Sequence, residues 1–253
     1  MSKAARDASV RERIAAQREA QRKQEQRKRL ATIITVVVVV LAVIGGGWWY
    51  AAQQTKSETV AGGLAPVTVQ SDGSVVMAKD GVTAPVLDVY EDPQCPVCKQ
   101  LEEVSGPTIK NLAAEGKVKV VYHPLTIFSQ EPTRSNSLRA ASALRCVPDG
   151  KQWLAFHDKI FKEQPGETVE GGFKVDELVK WGQDVGVTAP GFESCVKEQK
   201  QTAAHEQYST KTMTDQKLEG TPTLKLNGTQ IDINTTFVPS ALRKEILDAA
   251  GAK

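Results

Sequence analysis

The spacing of apolar and polar residues divides the chain into four parts. Residues 1–29 are polar and contain neither Gly nor Pro, and the next stretch, residues 30–50, has no charged residue. About twenty such apolar residues are enough to span the core of a bilayer. A polar, Gly-containing stretch follows, and from residue 67 onward short β-branched runs alternate with segments of helical spacing. We therefore predict a basic tail at 1–29, a transmembrane anchor at 30–52, a linker at 53–66 and an α/β domain at 67–253.

The first half of the predicted domain contains four strands. Val67–Gln70 and Ser74–Ala78 flank an Asp-Gly turn and are typical of a hairpin. The apolar runs at 85–91 and 118–124 predict buried strands, with a helix at 99–115 between them. A strand, a helix and a second strand in this order favour a parallel βαβ unit with a right-handed crossover.

The second half is predicted to be mostly helical. Helical spacing extends from Pro132 to about Thr202, and further on Asn227-Gly228 predicts a hairpin turn between strands at 223–226 and 230–233. A closing helix is expected at 240–250, with Ser240 as N-cap and Gly251 beyond its end. The helices expected in the middle of the domain cover residues 135–146, 153–161, 175–185 and 192–206.

Charge supports this organisation. The whole chain has a net charge of +2, and residues 1–29 alone have ten Lys/Arg against four Asp/Glu. The remainder is therefore slightly acidic, which argues against a nucleic-acid surface on the domain. A basic flank before an apolar span indicates that the amino terminus is cytoplasmic, and Trp48-Trp49-Tyr50 suits the far interface. A cleavable signal peptide is the competing interpretation, but its apolar stretch would be unusually long.

The candidate chemistry lies at Cys95-Pro96-Val97-Cys98, between a predicted strand and a predicted helix. The start of a helix favours a thiolate over a thiol, so Cys95 is predicted to be a nucleophile and Cys98 the thiol that resolves the mixed disulfide. A zinc site would need two further ligands at close spacing. The chain offers only Cys146, Cys195 and three isolated histidines, so no metal is expected.

The order of these elements resembles the DsbA-like branch of the thioredoxin superfamily, over about residues 82–250. The resemblance implies a thioredoxin fold with a helical insertion and thiol–disulfide oxidoreductase activity, without a dissociable cofactor. The membrane anchor and the second cysteine pair are similar to tethered actinobacterial versions. Four stretches carry the resemblance: residues 86–88 leading to the cysteine motif, Phe156–Phe161, Phe192–Cys195 and Gly220–Thr223.

The resemblance also implies roles for individual residues. Cys95 would attack and Cys98 would resolve, with Pro222 as a cis-proline beside them. Thr221 would offer its backbone N–H and C=O to an extended substrate peptide. Asp88, seven residues before Cys95, could be a buried acid that relays a proton to Cys98, or it could face solvent. His157, next to Asp158, is interpreted as part of a solvated helix face, and no histidine has the partners of a nucleophile–base pair.

The function expected from the resemblance is the introduction of disulfides into exported proteins, on the outer side of the cell membrane. The partners would be reduced exported proteins and a quinone-linked membrane oxidase of the DsbB-like or VKOR-like type. An isomerase or a reductase of the same fold is an alternative. Val97 replaces the histidine common in strong oxidants, which favours a milder oxidant. An alternative of another class is an extracytoplasmic copper-handling module that uses both thiols as soft ligands.

The remaining cysteines, Cys146 and Cys195, are expected to form a structural disulfide. The active-site pair must cycle, so its members cannot be locked permanently to the other two. Two unpaired thiols beside an oxidising site would not stay reduced outside the membrane. The competing interpretation is two separate buried thiols that pack as small apolar residues.

Overall fold

The computed structural model describes residues 63–251. The predicted tail, anchor and most of the linker lie outside this range, and those predictions stay untested. Among the helices of residues 63–251, none combines the length and the apolar character that crossing a bilayer requires.

A six-stranded mixed sheet with the order β1-β2-β4-β3-β5-β6 forms the centre of the described fold. The predicted βαβ unit is confirmed, because β3 and β4 are parallel with Val89 opposite Tyr122, while the other strand pairs are antiparallel. The strands are β1 (Val67–Val69), β2 (Val75–Met77), β3 (Val86–Glu91), β4 (Lys119–Pro124), β5 (Thr223–Leu226) and β6 (Thr229–Gln230).

Helices account for most of the remaining residues. The predicted helix at 99–115 is wrong as a single element: it is two helices that meet at Ser105, because Pro107 in the following turn has no N–H to continue the first. At this junction, the Ser105 hydroxyl donates a hydrogen bond to the Thr236 carbonyl, 2.7 Å away. The helices are α1 (Pro96–Val104), α2 (Gly106–Ala114), α3 (Thr133–Leu144), α4 (Gly150–Lys162), α5 (Val175–Asp184), α6 (Phe192–Lys197), α7 (Thr202–Asp215), α8 (Ile233–Thr236) and α9 (Pro239–Gly251).

Three boundaries near the carboxyl end also differ from the prediction. The helix expected at 192–206 is divided into α6 and α7, and Gln199 between them has a positive φ of 51°. The strand expected at 230–233 stops at Gln230, because the Asp232 carboxylate accepts a hydrogen bond from the Asn234 N–H and caps α8. The closing helix begins at Pro239 rather than after Ser240, and it includes Gly251.

Successive side chains of a strand point to opposite faces of the sheet, and this alternation determines which residues reach the core. Leu87 and Val89 of β3 and Val120 and Tyr122 of β4 are completely buried. Large side chains of α4 pack in the same cluster, Trp153 among them. Burying a large apolar side chain contributes roughly 1.5–3 kcal/mol. Because β3 lies between β4 and β5, the cysteine motif that follows its carboxyl end lies beside the central strands of the sheet.

A disulfide bond joins Cys146 and Cys195, the predicted pairing, across a sequence separation of 49 residues. Cys146 follows the carboxyl end of α3, and Cys195 lies in α6. The bond therefore connects two helices of the insertion. It leaves Cys95 and Cys98 as the free thiols of the described domain.

Replacing both Cys146 and Cys195 by Ala is expected to lower the free energy of unfolding by about 2–4 kcal/mol, since the bond closes a long loop in the unfolded chain. Exchange at Cys95 should change little. Equilibrium unfolding of the full-length wild type and variant in denaturant measures the loss. The control is thiol labelling of the wild-type protein after mild reduction. If a thiol reagent then modified Cys146 as readily as Cys95, the bond would not be a structural one.

Candidate active site

The turn between β3 and α1 places Cys95 at the amino end of the helix. Cys95 is the N-cap residue and Pro96 is the first helical residue, where a missing N–H costs no helix bond. The Asp92 carboxylate holds the turn: one oxygen accepts from the Gln94 N–H and the other from the Ile127 N–H, each at 2.8 Å. The predicted location of Cys95 at a helix start is therefore what the structure shows.

The two thiols have different environments. Cys95 is 5% exposed and Cys98 is completely buried, and Phe161 packs against both. A hydrogen bond from the Cys98 thiol lowers the pKa of Cys95 to about 7, against the opposing effect of burial, and the Val97 and Cys98 backbone N–H groups add to the lowering. Burial raises the pKa of Cys98 well above its ordinary value. At neutral pH, Cys95 is thus the residue with thiolate character and Cys98 keeps its proton.

Thr221 and Pro222 approach the cysteines from the loop before β5. The Cys95 sulfur lies 3.5 Å from the Thr221 carbonyl oxygen, and the Thr221–Pro222 peptide bond is cis. The structure therefore brings together four of the residues that the sequence singled out. The Thr221 backbone borders the reacting sulfur, which is the location expected for a residue that contacts a bound peptide.

Asp88 is not brought to the cysteines. Its carboxylate lies 2.9 Å from His123 Nε2, and the other ring nitrogen of His123 hydrogen-bonds the Tyr208 hydroxyl at 2.7 Å. The reason is strand parity: successive side chains of β3 point to opposite faces of the sheet. Asp88 shares a face with Tyr90, whereas Leu87, Val89 and Glu91 share the face that packs in the core.

The acid that does lie next to Cys98 is Asp92, in the turn between β3 and α1. Its backbone N–H donates to the Cys98 sulfur at 3.5 Å, and its side chain is fully buried. Burial raises the pKa of the Asp92 carboxyl to about 6, against the two backbone hydrogen bonds that lower it. No local signal in the sequence indicates this burial, because the Ile127 N–H that pairs with the carboxylate is 35 positions away in the chain.

His157 corrects a second interpretation, since it lies in the core and not on a solvated face. Its Nε2 is 2.5 Å from the Glu91 carboxylate, and both side chains are buried. Burial alone would lower the pKa of His157, but the Glu91 carboxylate, together with Asp158 and Glu102, outweighs it and raises the pKa to about 10. The ring also packs edge-on against Phe161, with centroids 4.9 Å apart, and so adjoins the residue that covers both cysteines.

A group of buried charges surrounds this pair. Donor atoms of Glu91, Glu102 and His157 lie within 4.8 Å of one another, as three metal ligands could. Lys110, however, places its ammonium 3.4 Å from Glu102 and 2.7 Å from Asp158. The positive charge that a metal would supply is already provided by Lys110 and protonated His157, so we interpret the group as a network of ion pairs.

The fold and the paired cysteines define a thiol–disulfide oxidoreductase with thioredoxin architecture. A family model described as Thioredoxin matches residues 81–246, and the chain therefore belongs to the thioredoxin family. This match covers the strand that leads to the cysteines, the helical insertion and most of the closing helix. The predicted thioredoxin fold with a helical insertion is confirmed, and the anchor before it remains a prediction.

Several solved structures are similar to this chain. DsbA of Mycobacterium tuberculosis in its oxidised form is 26% identical, with a TM-score of 0.59 over 74% of this chain and 93% of that one. DsbG of the same organism, a disulfide bond oxidoreductase, is 26% identical, with a TM-score of 0.60 over 73% and 86%. MdbA, a thiol-disulfide oxidoreductase from Actinomyces oris, is 26% identical, with a TM-score of 0.60 over 77% and 97%. The resemblance to DsbA-like oxidoreductases is thereby confirmed.

Curated relatives are matched over shorter parts of their length. The serine/threonine-protein kinase PknE of Mycobacterium tuberculosis is 29% identical over 135 residues, which are 51% of this chain and 23% of the kinase. A putative protein-disulfide oxidoreductase of Rickettsia bellii is 27% identical over 162 residues, which are 62% of this chain and 59% of that protein. The chain thus spans about a quarter of the kinase and less than two thirds of the Rickettsia protein.

Proposed function

We propose that this protein is an oxidase that donates its Cys95–Cys98 disulfide to reduced exported proteins. The observation that carries the proposal is the contrast between the two thiols. Cys95 has its pKa lowered to about 7, while Cys98 is buried and has a raised pKa. Stabilising one thiolate of a pair stabilises the reduced form, which raises the reduction potential of the disulfide and favours the oxidase direction.

The reaction proceeds by two exchanges. A substrate thiolate attacks the Cys95 sulfur, a mixed disulfide forms, and Cys98 leaves and takes up a proton. A second substrate thiolate then attacks the substrate sulfur of the mixed disulfide and releases Cys95. The substrate loses two electrons as its disulfide forms, and the Cys95–Cys98 pair gains them. A pKa near 7 in the attacked cysteine suits a mild oxidant, whereas a much lower pKa would suit a strong one.

The cellular setting is part of the same proposal. A single span at 30–52 would hold the domain on the extracytoplasmic side, with the basic residues 1–29 inside. A DsbB-like or VKOR-like membrane oxidase would accept the two electrons and regenerate the disulfide. Support for this orientation comes from the uncharged span and its basic flank. Labelling of tags placed beside Lys3 and Lys253 in intact cells tests it, because only the second should be reached from outside.

The oxidised full-length protein, incubated with reduced unfolded ribonuclease, should transfer one disulfide per molecule. Ribonuclease thiols would be lost as the Cys95–Cys98 thiols appear, because electrons are conserved in the exchange. Scrambled ribonuclease, already fully disulfide-bonded, is the matched comparison. If the reduced protein reactivated the scrambled enzyme while the oxidised protein left reduced ribonuclease unchanged, the oxidase proposal would be wrong and the isomerase alternative correct.

A further inference from the structure

Two glutamines bind the active-site turn to the segment after α4. Gln164 donates from Nε2 to the Pro93 carbonyl at 2.7 Å and to the Cys95 carbonyl at 3.0 Å. In the opposite direction, Gln94 donates from Nε2 to the Pro165 carbonyl at 3.0 Å. Residues 93–95 and residues 164–165 are therefore joined by three amide hydrogen bonds, although about seventy positions separate them in the chain.

The burial of these residues indicates a built contact. Gln94 is completely buried, and Gln164 is half-buried. A fourth hydrogen bond lies beside these three: the Lys99 ammonium donates to the Lys162 carbonyl at 3.0 Å. Both sides of the turn are thus fixed: Gln164 holds it from the α4 side, and the Asp92 carboxylate holds it to Ile127 from the other.

The carbonyl that Gln164 contacts belongs to the reacting residue. The Cys95 carbonyl accepts the first bonds of α1, from the Cys98 N–H at 3.1 Å and the Lys99 N–H at 3.2 Å. A third donor on this oxygen fixes the orientation of the peptide plane after Cys95 and therefore the direction of its Cα–Cβ bond. The sulfur must lie near the Cys98 thiol and the helix N–H groups to be activated, and it also lies 3.5 Å from the Thr221 carbonyl.

We propose that Gln164 is a positioning residue for thiol–disulfide exchange at Cys95, and that Gln94 fixes the segment from which Gln164 acts. Gln164 touches neither sulfur, so its effect passes through the backbone of the turn. The proposal rests on exchange chemistry at Cys95, as the proposed function does, but not on the direction in which electrons move.

The test replaces Gln164 by Met, which keeps the length of the side chain and removes both donated hydrogen bonds. In the full-length protein, the rate constant for reaction of reduced Cys95 with oxidised glutathione at pH 7 should fall about threefold to tenfold, the range that corresponds to the net contribution of about one hydrogen bond. The thiolate absorbance transition should move toward the pH of an ordinary cysteine. Gln207, exposed on α7, is the matched control, and Gln207→Met should change neither quantity.

A purely structural role gives a different result. If Gln164→Met lowered the unfolding midpoint but left the thiolate transition and the pH dependence of the exchange rate at their wild-type values, the positioning role would be refuted. Gln94→Met is the second variant, with a shift in the same direction expected. Because both glutamines act through one contact, the double variant should lose little more than Gln164→Met alone, and fully additive losses would contradict the proposal.

The outcome can be separated from that of the proposed function. Failure of the wild-type protein to oxidise ribonuclease, together with a slowed glutathione reaction in Gln164→Met, would refute the oxidase role and support the positioning role. Normal oxidation of ribonuclease by Gln164→Met, at the wild-type rate and with the wild-type thiolate transition, would support the oxidase role and refute the positioning role.

Discussion

Replacing Cys95 by Ser should abolish thiol–disulfide exchange, whereas replacing Cys98 by Ser should turn the protein into a trap for mixed disulfides. The two results differ because the thiols have different tasks. Cys95 has the thiolate character needed for attack, with its pKa lowered to about 7. A serine hydroxyl remains protonated at this pH and cannot replace it. Without Cys98, nothing inside the protein resolves the bond that Cys95 forms with a substrate.

Non-reducing electrophoresis of the two reduced variants after incubation with a disulfide-bonded substrate, such as scrambled ribonuclease, measures both effects, because the Cys95 thiolate attacks the substrate disulfide and a substrate thiolate leaves. Complexes sensitive to reductant should accumulate with Cys98→Ser and be absent with Cys95→Ser. A titration of thiolate absorbance gives the independent control, and the wild-type transition near pH 7 should disappear in Cys95→Ser. A transition at or above about 8.5, the value of a free cysteine, would contradict the activation of Cys95 by its surroundings.

Much of this site could be predicted because its signals are local in sequence. Cys95, Pro96 and the β-branched strand before them lie within a dozen residues, and together they fix a strand, a turn and a helix start. The Gly-Thr-Pro segment at 220–222 could be added only through the family resemblance, because nothing in its own composition indicates that it contacts Cys95. Its approach to Cys95 results from antiparallel pairing of β5 with β3, a contact between distant parts of the chain.

The predictions that failed concern the burial of single side chains and the continuity of helices. His157 was interpreted as exposed because it stands next to Asp158, although it lies four residues from both Trp153 and Phe161 and therefore on the apolar face of the helix. Its partner Glu91 is 66 positions away in the sequence. Asp88 was considered as a buried acid because it lies in the predicted strand seven residues before Cys95, and the alternative was that it faces solvent. Side chains alternate between the two faces of a strand, and this directs Asp88 toward His123. The Asp92 carboxylate is instead buried in the loop after the strand, where it accepts a hydrogen bond from the Ile127 N–H. The Gly-Pro pair after Ser105 was a local signal for the helix break that the apolar periodicity concealed.

Replacing Glu91 by Ala is expected to lower the free energy of unfolding by about 3–5 kcal/mol, the usual cost of removing one member of a buried ion pair. Glu91 and His157 are both inaccessible to solvent, and the atoms that pair are 2.5 Å apart. The variant leaves the His157 cation in the core beside Tyr122 and Trp153, whose rings lie 5.3 and 4.9 Å from its own. Removing an exposed ion pair, such as Lys180–Asp184, should cost at most about 1 kcal/mol and is the control.

The same pair should make stability depend on pH. The folded-state pKa of His157 is raised to about 10, above the ordinary value of 6.5 that it regains on unfolding. A raised histidine pKa means that the folded state holds the proton more tightly. The stabilisation is therefore complete below about pH 6.5 and is lost as the pH rises through 10. We expect the free energy of unfolding to decrease over this interval in the wild-type protein.

His157→Gln isolates this contribution, because Gln keeps a hydrogen-bond donor for Glu91 but cannot carry the charge. Denaturant unfolding of the full-length wild type and variant at several pH values between 6 and 10 provides the measurement. The gap in stability between the two proteins should be largest at pH 6 and should narrow toward pH 10, since the wild type loses its proton and the variant has none to lose. Lys110 and the two thiols titrate in both proteins, so their effects cancel in the difference. A gap that stayed constant across the interval would show that His157 is neutral in the folded protein, and the ion-pair interpretation of the Glu91 contact would then fail.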